Sequence, residues 1–135
     1  MQLPVPYLAF HDQARDAMEF YRSVFGGDLT VQTFGDYGFE TDNPDAVMHA
    51  SLAGPDFQLM ASDTPPGVPF QQGSQVSLSL VGDKADEERM RGWFEQLGGG
   101  GTVTMPLERQ MWGDLYGAVT DRFGIAWMVD IGQED

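Results

Sequence analysis

The chain has 135 residues and contains no cysteine, one lysine and two histidines. The absence of cysteine excludes disulfide frameworks, zinc fingers, iron–sulfur ligation and thiol nucleophiles. Basic side chains are also scarce, with 7 against 21 acidic ones and a formal net charge of −14. Phosphate backbones and anionic lipid headgroups bind cationic surfaces, so this balance argues against nucleic-acid and membrane partners.

Long apolar runs are missing as well. No segment has the length needed to span a bilayer, and the N-terminus lacks the basic segment and apolar core of a signal peptide. We therefore expect a cytoplasmic protein. The apolar fraction of 41% is enough for a packed core, and a chain of this length needs neither a disulfide nor a metal to fold.

A repeat with an offset of 72 residues organises the chain. It pairs residues 17–31 with residues 89–103, and each segment places apolar side chains at helical spacing before a glycine pair or run. This pattern predicts two amphipathic helices that end at glycine. We expect them to begin near Asp12 and Asp83, because aspartate is a favourable N-cap residue.

One strand-like segment precedes each helix and three follow it. The predicted strands are residues 5–10, 28–35, 46–53 and 57–62, and then residues 76–81, 102–110, 115–120 and 125–131. This order predicts an α+β fold of two β-α-β-β-β modules, about residues 1–63 and 74–135, joined by a proline-containing linker of about residues 64–73. A module of about 60 residues is marginally stable alone, so we expect a single domain over residues 1–135 whose curved strands enclose a cleft.

Several motifs follow this plan along nearly the whole chain. They are PYLAF at residues 6–10, AMEFY at 17–21, FGG at 25–27, MHA at 48–50, MASD at 60–63 and WGDLYGAVTDRFGIAWM at 112–128. With these motifs the chain resembles the PhnB-like branch of the vicinal oxygen chelate superfamily, which includes glyoxalase I, extradiol dioxygenases and bleomycin-binding proteins. The resemblance implies the two-module fold, but no single activity, because one scaffold carries many chemistries.

In metal-using members, the resemblance implies four ligand positions on the first and last strands of each module. These positions fall near Val5 or Pro6, at Gln58, near Gln75 or Val76, and at Met128. Valine and methionine do not ligate a hard divalent cation, and two neutral amides form a poor cage. We therefore predict no catalytic metal and no other cofactor. A non-standard metal site that includes His11 or His49 is the alternative left open.

Arg109 is the first candidate for ligand binding. It lies on a predicted strand between Leu107 and Met111, which share its face by alternation. A cation among apolar neighbours needs a partner, because its unpaired burial is costly. That partner is either an acidic side chain or an anionic or polar ligand. Trp112, beside Gly113, is the candidate for an apolar wall of the same site.

His49 lies on the predicted strand 46–53, where alternation places it on one face with Val47 and Ser51. That face points either into the cleft or into solvent. Gln58, Gln75 and Met60 complete the set of candidate ligand-binding residues.

The sequence thus predicts a protein that binds an unknown small molecule in a cleft without a catalytic metal. A metal-assisted lyase, isomerase or dioxygenase-type enzyme is one alternative, and an antibiotic-sequestering resistance protein is another. We also expect a homodimer, because single modules leave strand edges open and two-fold pairing is the commonest soluble assembly.

Overall fold

The periodic segments of the sequence form the elements that they predict. The computed structural model describes residues 4–65 and 67–133; Pro66 of the predicted linker lies outside these ranges. The chain divides between Gln72 and Gly73 into two compact units. Within the described residues each unit has the element order β-α-β-β-β, which confirms the predicted fold class.

The first unit forms a four-stranded sheet covered by one helix. Its strand order is β1-β4-β3-β2, with β1 parallel to β4 and the other pairs antiparallel. The helix packs against β2, β3 and β4 and buries Ala17, Met18 and Tyr21 completely, as its apolar stripe predicts. The elements are β1 (Tyr7–Phe10), α1 (Ala14–Phe25), β2 (Asp28–Thr33), a 3₁₀ helix (Gly35–Tyr37), β3 (Val47–Ala53) and β4 (Gln58–Asp63).

The second unit repeats this plan. Its strand order is β5-β8-β7-β6, again with one parallel pair, β5 and β8. Its helix packs over all four strands, and the core holds Met90, Leu115, Val129 and Ile131. The elements are β5 (Leu78–Gly82), a 3₁₀ helix (Lys84–Asp86), α2 (Glu87–Gly98), β6 (Thr102–Arg109), β7 (Leu115–Thr120) and β8 (Ala126–Ile131).

The start of α1 corrects one expectation. Asp12 is not the N-cap: it lies before the helix with φ +59°, and the N-cap residue Gln13 makes no side-chain cap. Instead, Oδ1 of Asp63 accepts hydrogen bonds of 2.9 Å from the backbone N–H groups of Gln13 and Ala14. A carboxylate satisfies free donors at a helix N-terminus and complements its dipole, so the cap of α1 comes from the end of β4.

The start of the second helical segment agrees with the expectation. The Asp83 side chain accepts a hydrogen bond of 3.0 Å from the backbone N–H of Ala85. The Asp86 side chain accepts one in return from the backbone N–H of Asp83, which completes a capping box. The 3₁₀ turn that they cap leads directly into α2.

Over the described ranges of the chain, no helix combines the length and the apolar character required to cross a membrane.

Candidate functional site

The side of the first sheet that faces away from α1 is here called the first open face. Its central side chains are Tyr7, His49, Ser51, Gln58 and Met60. The strand register places Met60 between Tyr7 on β1 and Ser51 on β3. These five side chains are exposed or partly exposed, whereas the strand positions that alternate with them are buried under α1. Three of the predicted site residues, His49, Gln58 and Met60, therefore share one surface.

β3 contains a bulge between Val47 and His49. Gln32 pairs with His49 and Thr33 pairs with Val47, which leaves Met48 as the extra residue. An extra residue shifts the phase of the alternation. Val47 is thereby fully buried while His49 is partly exposed. The expectation that Val47 and His49 share a face is therefore wrong.

Tyr7 and His49 form a hydrogen-bonded pair on the first open face. The Tyr7 hydroxyl lies 3.3 Å from Nδ1 of His49. Their ring centroids are 5.9 Å apart, with the ring planes tilted by 33°. A phenol hydroxyl both donates and accepts hydrogen bonds, as a neutral imidazole does through its two nitrogens. This pair therefore supplies hydrogen-bonding groups at one end of the face.

Gln58 and Ser51 form a second polar pair. The Nε2 atom of Gln58 donates a hydrogen bond of 3.1 Å to Oγ of Ser51. This bond leaves the amide oxygen of Gln58 and the hydroxyl proton of Ser51 available to another molecule. Met60 lies beside Ser51 and adds a flexible apolar surface between the polar groups. The face can thus orient a ligand by hydrogen bonds around an apolar centre.

The side of the second sheet that faces away from α2, the second open face, has different chemistry. Met128 pairs with Ser79 and Ala118. It thus occupies the position in the second unit that Met60 occupies in the first. Tyr116 lies two residues before Ala118 on β7. In the same way, His49 lies two residues before Ser51 on β3, and Ser51 is the register partner of Met60. The Tyr116 hydroxyl donates a hydrogen bond of 2.9 Å to Sδ of Met128. At this place the second face therefore pairs a hydroxyl with a thioether, where the first face pairs a hydroxyl with an imidazole.

Trp112 lies in the turn after β6 and is 60% exposed. Its ring meets the Tyr116 ring edge-on, with centroids 6.0 Å apart and planes at 66°. Trp112 therefore extends the apolar surface at one end of the second open face.

Arg109 shares its predicted strand face with Leu107 but not with Met111. Leu107 packs against the core under α2, whereas β6 ends at Arg109 and Met111 lies in the following turn with 97% exposure. Two register shifts in β6 set Glu108 opposite Tyr116 and Arg109 opposite Leu115. Directly paired residues share a face, and Leu115 belongs to the core under α2. Arg109 therefore lies on the helix side of the sheet, away from the second open face.

The Arg109 side chain is exposed. Within residues 4–65 and 67–133, no acidic side chain forms an ion pair with it. The structure does not bring Arg109 and Trp112 onto one surface. An anion-binding role for Arg109 stays a prediction.

Asp130 and Asp114 form a carboxyl pair that the sequence reasoning missed. Asp130 lies opposite Tyr116 on the second open face, and no donor in the described ranges bonds to its buried Oδ1 atom. Burial raises the pKa of Asp130, and the hydrogen-bonding, like-charged Asp114 raises it further. Two carboxyl groups hydrogen-bond to each other only if they share a proton. Their separation of 16 residues along the chain conceals the pair in the sequence.

The four positions that the resemblance assigns to a metal do not fit one. Gln75 is exposed before β5, and Gln58 donates its amide proton to Ser51. The position equivalent to Met128 is Met60 rather than Gln58, because Met60 pairs with the first strand of its unit as Met128 does. Thioethers are poor ligands for hard cations. The donor set is therefore unsuited to the divalent ion of metal-using relatives.

Two buried carboxylates serve the fold. Oδ2 of Asp63 accepts a hydrogen bond of 2.8 Å from the backbone N–H of Val47, in addition to those at the start of α1. Asp121 accepts bonds of 2.8 Å from the backbone N–H of Phe123 and from Nε1 of Trp127. Both side chains are almost fully buried. Their oxygens are directed to groups within the chain, which is a structural role.

His11 lies apart from the first open face. It lines an open cavity of about 400 Å³ together with Asp12, Glu40 and Asp42. Its Nδ1 atom is 3.4 Å from Oγ1 of Thr64. In the part of the chain that the structure describes, no three His, Asp or Glu side chains are grouped so as to hold a metal ion.

Comparison with known proteins agrees with this architecture. The family model described as the Glyoxalase/Bleomycin resistance protein/Dioxygenase superfamily matches residues 5–129. The chain therefore belongs to this superfamily.

Three proteins illustrate its relationships. Protein YjdN of Escherichia coli K12 is 28% identical over 93% of this chain and 92% of its own length. The crystal structure of protein PA1353 from Pseudomonas aeruginosa has a TM-score of 0.89 and 38% identity, over 99% of this chain and all of that one. A PhnB protein from Bacillus cereus has a TM-score of 0.77 and 23% identity, over 97% of this chain and all of that one, and shows the shared fold.

Proposed function

We propose that the protein binds a small molecule on the first open face and uses no catalytic metal there. The observation that carries this proposal is the arrangement of Tyr7, His49, Ser51 and Gln58 around Met60. These groups offer several hydrogen-bonding atoms beside an apolar surface, which is the usual composition of a small-molecule site. Membership of the superfamily supports ligand binding but leaves the activity open, because function depends on the site rather than the fold.

The donor chemistry supports a metal-independent site. Among the five central side chains of the first open face, the polar groups are an imidazole, two hydroxyls and one carboxamide. A single imidazole with neutral oxygens is a weak set for a divalent ion. The same atoms are well suited to hydrogen-bond a polar organic molecule. We therefore propose that binding and orientation come from hydrogen bonds and apolar contact.

A pair of blocking variants tests this proposal. Ser51→Trp places an indole at the centre of the first open face, and Ala118→Trp places one at the equivalent position of the second. A library of small fragments is screened by saturation-transfer NMR against both variants and the wild-type chain. We expect Ser51→Trp to weaken the binding of the fragment hits by tenfold or more, while Ala118→Trp keeps them. Equal binding to all three proteins, with both variants folded, would contradict the proposal.

We also propose that the protein is a homodimer. Each sheet ends in two edge strands, namely β1 and β2 in the first unit and β5 and β6 in the second. Exposed strand edges favour pairing with another chain, and two-fold symmetric contacts are the commonest solution. Light scattering at micromolar concentration should give twice the chain mass of 14.9 kDa. A result at the mass of one chain would contradict this part of the proposal.

A further inference from the structure

We infer that Tyr7 holds His49 in the tautomer with its proton on Nε2, and that this N–H selects an uncharged ligand with an acceptor oxygen. The inference rests on the proposed binding role of the first open face and specifies the chemistry of its ligand. Three observations support it. The Tyr7 hydroxyl contacts Nδ1 of His49, no described group bonds to Nε2, and the neighbouring side chains are uncharged.

The chemistry of the two groups sets the direction of the hydrogen bond between Tyr7 and His49. The Tyr7 hydroxyl and Nδ1 of His49 are 3.3 Å apart. A neutral imidazole has one donor and one acceptor nitrogen, and the hydrogen bond made by one nitrogen decides the state of the other. An imine nitrogen is a stronger acceptor than a phenol oxygen, whose lone pair is delocalised into the ring. Tyr7 therefore donates to Nδ1, and the proton of the ring is on Nε2.

The other nitrogen of His49 is available to a ligand. Along residues 4–65 and 67–133, no group bonds to Nε2, and the ring makes its hydrogen bond to Tyr7 through Nδ1. His49 is partly exposed on the first open face. A donor that is partly shielded from water and lacks a protein partner gains from a bound acceptor. The Nε2–H group is thus available to a carbonyl, ether or hydroxyl oxygen.

The side chains that flank His49 on this face are uncharged. They include its register partner Gln32 on β2 as well as Tyr7, Ser51 and Met60. The carboxylate of Asp28 lies on the same face, but at the other end of β2, opposite Ala53. Among the side chains that flank His49, an anionic ligand would find no cation, and a cationic ligand would find no carboxylate. Removal of an unpaired charge from water is costly. The preferred ligand is therefore uncharged, with an oxygen at His49 and an apolar or aromatic part over Met60 and the Tyr7 ring.

The experiment uses ¹⁵N NMR of the imidazole ring in a His11→Gln background, where His49 is the single histidine. In alkaline buffer, the ¹⁵N shifts and their couplings to ring protons identify the protonated nitrogen. We expect a protonated Nε2 and a hydrogen-bonded Nδ1. In Tyr7→Phe the Nδ1 resonance should move toward that of a free imine nitrogen. Tyr37→Phe is the matched control, because Tyr37 is 55% exposed and Tyr7 is 53% exposed.

The ligand class is tested with acetophenone and with ethylbenzene, which has a similar shape but no oxygen. We expect acetophenone to shift the Nε2–H signal of His49 and to bind roughly tenfold more tightly than ethylbenzene, as the loss of one hydrogen bond implies. A proton on Nδ1, or equal binding of both probes on the first open face, overturns the inference and leaves the proposed binding face intact. If neither probe shifts any residue of the face, the proposed function is contradicted as well.

Discussion

The Oδ1 atom of Asp63 lies 2.9 Å from the backbone nitrogen of Ala14, 49 residues earlier in the chain. The same carboxylate accepts a hydrogen bond from the backbone N–H of Val47 through its other oxygen. It thus joins the end of β4 to the start of α1 and the start of β3. Because Val47 immediately precedes the bulge and lies two residues before His49 on β3, this buried carboxylate also supports the strand that carries the candidate site.

Replacement of Asp63 by alanine should destabilise the protein strongly. The change leaves the buried N–H groups of Ala14 and Val47 and the partly buried N–H of Gln13 without their acceptor. Each buried loss costs about 1–3 kcal/mol. We expect the free energy of unfolding, measured with urea, to fall by roughly 3–5 kcal/mol.

The exposed Asp56→Ala variant is the control for this effect and should change stability by less than about 0.5 kcal/mol. If Asp63→Ala unfolded at the same urea concentration as Asp56→Ala, the capping role of the carboxylate would be wrong.

Removal of the charge of Asp130 should stabilise the protein at neutral pH. Burial and the neighbouring Asp114 raise the pKa of Asp130 above its ordinary value. The folded chain therefore binds more protons than the unfolded chain between the two pKa values, and stability falls as the pH rises through that interval. Because asparagine does not ionise, Asp130→Asn does not lose this part of the stability as the pH rises. The variant should therefore melt at a higher temperature than wild type at pH 7.

The advantage of Asp130→Asn should shrink as the pH approaches 3, where the wild-type carboxyl is protonated in both states. Thermal unfolding followed by circular dichroism from pH 3 to pH 7 measures the difference. Asp28→Asn, at an exposed position, is the control and should show no such trend. A constant difference across this pH range would contradict the raised pKa.

Elemental analysis of the purified protein should find well below one divalent metal ion per chain. The reason is the donor set, because Met60 and Met128 stand at the paired central positions of the two open faces and thioethers are poor ligands for hard cations. A stoichiometric metal that is lost in Gln58→Ala or His49→Ala would contradict this prediction, since metal affinity follows the identity of the ligands.

The two units should unfold together if they form a single domain. The three tryptophans, at positions 93, 112 and 127, all lie in the second unit. Tryptophan fluorescence therefore reports on that unit, whereas far-ultraviolet circular dichroism reports on both. We expect urea transitions with the same midpoint by the two probes, as a two-state domain requires. Separate midpoints would show that the units are independent domains.

The regular elements were predictable because their signals are local. Periodicity placed each helix and strand, and β7 begins and ends at the predicted residues. Local pattern also identified Asp83 as the N-cap of the second helical segment. The cap of α1 was not predictable in this way, since its acceptor, Asp63, comes from a distant strand.

Side-chain direction was harder to predict than strand position. Regular alternation groups His49 with Ser51 and Arg109 with Leu107, as the structure does, but it also adds Val47 and Met111 to these faces. The bulge at Met48 turns Val47 to the other side of the sheet, and β6 ends before Met111. Such irregularities carry no strong sequence signal, because one extra residue in a strand alters neither its composition nor its length appreciably.

The most direct test of the account uses the methyl groups of the chain's eight methionines as reporters. Met60 reports on the first open face, Met128 on the second, and the buried Met18 and Met90 serve as internal controls. In a titration of ¹³C-methyl-labelled protein with acetophenone, we predict that the Met60 methyl signal shifts in a saturable way while the Met128, Met18 and Met90 signals do not. A saturable shift at Met128 with no change at Met60 would contradict the assignment of the binding site to the first open face.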